Sequence, residues 1–242
     1  MAAALGWGAL AASSLVIGAV LAFARRWSRR QVGTVLAFGA GALISAVSFE
    51  LVEEGAVVGG LGWTGLGLGI GAITYYAADG VISRRQETGR GRSGRAAAGD
   101  SGTALALGAF LDGIPEQLVL GIGLASGQGV GVGLIVAIFV SNLPEAIGSA
   151  DAMAKAGRSR SAVIRLWVGV AAICMVATVV GWLIADAAPE ELRATINGFA
   201  GGALLVMLID SMIPDAVRKG GDVSGLVTVL GFAVAAALSR VT

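Results

Sequence analysis

The chain alternates long apolar runs with short polar breaks, and the runs are longer than the helices of a soluble domain need. An α-helix rises about 1.5 Å per residue, so roughly 20 apolar residues cross a bilayer. Runs of that length can be drawn at 7–24, 32–52, 57–82, 103–124, 129–153, 161–185, 194–216 and 222–240. The pattern predicts an all-α polytopic membrane protein, a bundle of eight transmembrane helices forming a single domain over 1–242. Residues 83–102 are the one long polar stretch and are expected to be a mobile loop.

Composition agrees with that pattern. Of 242 residues 56% are hydrophobic and 14% charged, outside the range of soluble domains. The 39 glycines, many inside apolar runs, point to close helix packing, because lipid supplies no hydrophobic drive for helices to associate. The single cysteine, Cys174, excludes an intrachain disulfide framework. Cys174, Met175, Met207 and Met212 are read as packing groups rather than soft ligands.

The distribution of charge sets orientation. Arg25, Arg26, Arg29 and Arg30 follow the first run, and Arg84, Arg85, Arg90, Arg92 and Arg95 follow the third. Lys155, Arg158, Arg160 and Arg165 follow the fifth, and Arg218 and Lys219 the seventh, leaving only Arg193 and Arg240 elsewhere. Basic residues thus fall in alternate loops, which the positive-inside rule makes cytoplasmic, with both termini outside. The first run carries its basic residues after rather than before it, so it is read as a helix rather than a secretory signal.

Two runs hold a proline followed at once by a glutamate: Asp112-Gly113-Ile114-Pro115-Glu116 and Ser141-Asn142-Leu143-Pro144-Glu145. A carboxylate within an apolar span is costly unless it faces a polar cavity or a partner. Asp112 and Glu116 are four apart and share a helix face, as do Ser141 and Glu145, with Asn142 bordering the latter. Neither proline can donate to the carbonyl four residues back, which frees the carbonyls of Leu111 and Val140 beside the acids. Such a constellation suits a cation. Elsewhere, Glu50, Glu53 and Glu54 cluster at the outer end of the second run with no compensating basic residue in sight; they form either an anionic vestibule or a solvated helix end. Asp79, Asp210 and Asp215 either mark an inner exit or, for Asp79 and Asp215, pair with nearby arginines and lysines.

The paired motifs resemble the ZIP (Zrt/Irt-like protein) family of divalent-metal transporters, whose fourth and fifth helices carry histidine-asparagine-x-proline-glutamate-glycine motifs. The resemblance covers nearly the whole chain: Ala37 through Glu50 looks like the family's second helix, and Gly201 through Pro214 its seventh. It implies eight spans with both termini outside, metal ligation by Glu116, Glu145 and Asn142, and Asp112 and Ser141 standing where the family has histidines. Asp112 can still ligate through oxygen, whereas Ser141 is a weak ligand. Gly113 stands where an asparagine is expected, and Ile173-Cys174-Met175 supplies no acid on the sixth helix, which argues against a binuclear site. Glu50, Ser141 and Asp210 are candidate pathway residues.

With no histidine in the chain, the donors are carboxylate, amide and carbonyl oxygens, which suit hard ions. Zinc is expected first, with iron(II) or manganese close behind. The expected function is entry of divalent cations into the cytoplasm across the cell (plasma) membrane, with no bond made or broken and no resident cofactor. The expected partners are the metal ions and membrane lipid, with a second copy of the chain left open and no nucleic acid. The alternatives are a non-transporting scaffold or metal sensor and, more remotely, an intramembrane hydrolase, for which no nucleophile with a base is evident.

Overall fold

The computed structural model describes residues 1–25, 27–89, 113–125 and 132–239, and these are helical with short turns and no strand. In chain order the helices are α1 (Ala2–Ala24), α2 (Arg29–Gly59), α3 (Leu61–Gly89), α4 (Gly113–Ala125), α5 (Val132–Lys155), α6 (Arg160–Ala187), α7 (residues 190–220) and α8 (Ser224–Leu238). Five stretches are long and apolar enough to cross a membrane: Ala2–Ala24, Arg29–Gly59, Leu134–Lys155, Arg160–Ala185 and Glu190–Leu238. The last contains a turn at Gly221, whose φ of 74° favours glycine. Crossings by α3 and α4 therefore rest on the sequence pattern, and part of the run at 103–124 lies outside the described residues.

One boundary differs from expectation. The polar loop was expected from residue 83, but α3 continues to Gly89. Arginine, glutamine and glutamate are good helix formers, so polarity at 84–87 ends the apolar run without ending the helix.

Glycine seams hold the helices together. Between α3 and α7, an added Cβ at Gly67 or Gly71 would strike the carbonyl oxygens of Thr195 and Phe199, and one at Gly198 or Gly202 those of Thr64 and Leu68. Two small-xxx-small stripes thus face each other with backbones in contact. The same reciprocity joins α2 to α8, where Gly41 meets Thr228 and Gly231 meets Phe38. It also joins α4 to α6, where Gly121 meets Thr178 and Gly181 meets Leu118. Around these seams, Leu36, Leu43 and Leu51 of α2 pack with Leu120 of α4, Ile138 of α5 and Leu208 of α7. A second cluster gathers Leu15 of α1, Ala146 of α5, and Trp167 and Cys174 of α6.

Two helices open into π winding part-way along, α2 over Val47–Glu53 and α7 over Leu208–Met212. In α7 the cause is Pro214, which has no N–H for the Asp210 carbonyl. In α2 the Ser48 hydroxyl donates to the Ile44 carbonyl at 2.8 Å and competes with the backbone for it.

The seams give a prediction with opposite signs at two glycines. Gly202→Ala should destabilise the purified protein by about 1–3 kcal/mol through overpacking. Gly69→Ala, with nothing within 4 Å of the added carbon, should be neutral or stabilising by up to roughly 1 kcal/mol. Thermal unfolding in detergent compares the two.

Candidate metal site on α4 and α5

Glu116 is 1% exposed, near the start of the described part of α4. It is held there by the packing of α4 on α6. A Cβ at Gly113 would come within 2.9 Å of Cys174 Sγ, so residue 113 is small because α6 presses on it. A side chain at that position, such as the asparagine the resemblance expects, would require the Cys174 thiol to shift. One turn on, the Thr178 hydroxyl donates to Gln117 Oε1. Gly113 and Gln117 therefore face Cys174 and Thr178, each pair one helical turn apart.

On α5, Ser141 and Asn142 are buried and Glu145 is half-buried. Pro144 lies inside the helix, whose winding continues to Lys155. Two glycines from neighbouring helices press on this segment. A Cβ at Gly39 of α2 would lie 3.0 Å from Ser141 Cα, and one at Gly18 of α1 would lie 2.6 Å from the Leu143 carbonyl oxygen. The Ser141 hydroxyl donates to the Ile138 carbonyl at 3.0 Å. Asn142 Nδ2 is buried without a hydrogen-bond partner. An unsatisfied buried amide costs roughly 1–3 kcal/mol, so an acceptor or a bound ion with its waters would relieve it.

The two helices meet through α6. Cys174 lies within electrostatic reach of Glu116 and belongs to the same packed cluster as Ala146, the neighbour of Glu145. Asp112 lies outside the described residues. Among those described, no three His, Cys, Asp or Glu side chains converge on a point, so acids alone do not close a ligand shell there. The oxygen donors of the two motifs among the described residues are the carboxylates of Glu116 and Glu145 and the amide of Asn142.

The other candidates fall elsewhere. Glu50 sits in the π segment of α2, where its carboxylate accepts from the Ser239 hydroxyl at 2.5 Å and from the Leu134 backbone of α5. Asp210 is exposed in the π segment of α7. Asp215 pairs with Arg218 and with Lys219, the latter at 2.6 Å, as nearby basic residues allowed. The acidic cluster at Glu50, Glu53 and Glu54 does have a compensating base: Arg193, from the first turns of α7, acts electrostatically on Glu54. It is remote in sequence, which is why a search of neighbouring positions missed it. The Gln117–Thr178 bond was also missed; its signal was a polar residue next to Glu116 and a threonine one turn beyond Cys174.

No family model matches the chain. A protein of Arabidopsis thaliana named "Putative zinc transporter" is 28% identical over 212 residues, 86% of this chain and 33% of that protein. The chain is similar to that protein over most of its own length. It spans one third of the plant protein's length, so the similarity concerns a portion of that relative.

The inter-helix bond can be tested by a pair of substitutions. Thr178→Val should cost about 1–3 kcal/mol by leaving the Gln117 carbonyl buried without a donor. Gln117→Leu in the Thr178→Val background should recover most of that loss. A double-mutant cycle by thermal unfolding in detergent measures the coupling.

Proposed function

We propose that the chain is a ZIP-like transporter that carries divalent metal cations into the cytoplasm through a carboxylate-lined site on α4 and α5. The observation that carries this reading is the pair of Pro-Glu motifs on successive apolar helices, with Glu116, Ser141 and Asn142 all buried. A buried carboxylate is expensive in an apolar bundle, and a divalent cation with its waters offsets that expense. The name of the plant relative supports zinc as a transported ion; the oxygen-rich donor set keeps iron(II) and manganese close behind.

In this reading Glu116 and Glu145 are the principal ligands, Asp112 and Asn142 complete the shell, and water fills the rest. Glu50, Ser141 and Asp210 belong to the pathway, Glu50 also joining α2 to α5 through the Leu134 backbone. The protein is a multi-pass component of the cell membrane with both termini outside. Metal is substrate rather than cofactor, and no covalent step occurs. A second reading, a non-transporting scaffold or metal sensor, is favoured by the absence of three convergent acidic or thiol groups among the described residues.

Uptake into proteoliposomes separates the two. The wild type should accumulate zinc, and a Glu116→Gln, Glu145→Gln double variant should lose at least tenfold in rate, while Glu53→Gln, at an exposed position, should transport normally. Wild-type liposomes that accumulate no zinc, iron(II) or manganese would favour the scaffold.

Ion preference tests position 112. Replacing carboxylate by imidazole softens the site, so Asp112→His should shift competition several-fold towards zinc over manganese, and Asp112→Ala should weaken both. Unchanged uptake of every ion by Asp112→Ala would remove that residue from the shell.

A further inference from the structure

The turn between α1 and α2 carries an open surface groove of about 440 Å³, bounded by Arg25, Trp27, Ser28, Arg30, Gln31 and Val35 among others. Its polar rim is already organised. The Ser28 hydroxyl accepts from the Gln31 N–H and the Gln31 side chain accepts from the Ser28 N–H, each at 3.2 Å, so the first turn of α2 satisfies itself. Trp27 is anchored at one side, its indole N–H donating to the Leu21 carbonyl at 3.0 Å, and the Arg25 guanidinium lies 4.5 Å above its ring. The stacking orients the guanidinium and leaves its N–H edge open.

Charge at the cleft has no counterpart among the described residues. Among the described residues the ion pairs are those of Lys155 with Asp151 and of Arg218 and Lys219 with Asp215; neither Arg25 nor Arg30 meets a carboxylate. Two guanidiniums beside an open groove, with no carboxylate partner among the described residues, favour a planar or tetrahedral oxyanion that accepts several N–H bonds at once. The groove also has apolar walls in Trp27 and Val35 and lies where the apolar run of α1 ends. That combination fits a group with a phosphate head and hydrocarbon behind it, at the depth where headgroups lie.

The geometry points to a phosphate-binding site at the α1–α2 turn, made by Arg25 and Arg30 and filled by the headgroup of an anionic phospholipid. The site lies away from the residues proposed for metal transport and does not depend on that reading. Neutral phosphatidylcholine carries the same phosphodiester with a compensating ammonium, so the net charge of the headgroup is what distinguishes the expected ligand.

Calorimetric titration of the full chain in a neutral detergent tests the inference with three probes: dioctanoyl phosphatidylglycerol, dioctanoyl phosphatidylcholine and inorganic phosphate. The phosphatidylglycerol should saturate and bind at least tenfold more tightly than the phosphatidylcholine. Arg25→Gln, Arg30→Gln should weaken it at least tenfold with helicity unchanged by circular dichroism. Val35→Trp, which fills the cleft and keeps both charges, should weaken it comparably, so a fold or insertion defect of the arginine variant leaves the inference testable. Saturation by inorganic phosphate alone, lost in both variants, would keep the phosphate site and make its source the free ion. Phosphatidylglycerol binding that is absent, or equal in wild type and in both variants, would overturn the inference.

Discussion

Backbone contact at glycine is the constraint on which the rest of this bundle depends. Lipid is as apolar as leucine, so helices there gain little by hiding hydrophobic side chains from it and must gain by close packing instead. The seams of α3 with α7, α2 with α8 and α4 with α6 let carbonyl oxygens approach where any Cβ would intrude. Because each seam is reciprocal, it sets rotation as well as distance: a helix turned about its axis brings a larger residue to the contact. Rotation decides which side chains point inward. The burial of Glu116 follows from the α4–α6 seam, and that of Ser141 and Asn142 from the pressure of Gly39 and Gly18 on α5.

Inside such a bundle a polar group must be satisfied locally, since no water of the bulk reaches it. Gln117 is half satisfied, by Thr178, and its Nε2 has no partner; Asn142 Nδ2 is likewise left over. Nearby stands the Glu116 carboxylate. Buried polar atoms without a hydrogen-bond partner also occur at Ser45, Trp167 and Arg193, whereas Glu50 is engaged by Ser239 and α5, and Asp215 by Arg218 and Lys219. The physical ground for proposing α4 and α5 as the place where a cation is held is the burial of Glu116 and Asn142 within apolar helices.

Much of this was legible in the order of residues. Apolar runs gave the helical class, because a run of that length has few other stable forms in a membrane, and glycine frequency gave the mode of packing. The proline-glutamate pairs were visible because an acid within an apolar run stands out against its neighbours. What stayed hidden depends on contacts between distant residues. Arg193 reaches Glu54, and Ser239 reaches Glu50, across separations that periodicity does not encode. The π segments were hidden for another reason: Ser48 and Pro214 are individually ordinary, and the winding changes only where the Ser48 hydroxyl competes for the Ile44 carbonyl and Pro214 leaves that of Asp210 without its donor. The extension of α3 to Gly89 was hidden because hydropathy records where lipid ends, not where a helix ends.

Oxygen coordination on α4 and α5 is the central claim, and the buried Cys174 beside Glu116 makes its most informative competitor. Zinc K-edge X-ray absorption on the purified, zinc-loaded protein reads the donor atoms directly. A shell of oxygen atoms at roughly 2.0–2.2 Å, lost when Glu116 and Glu145 are both changed to glutamine, is the result this structure predicts. A sulfur shell at about 2.3 Å, or an oxygen shell untouched by those substitutions, would contradict it.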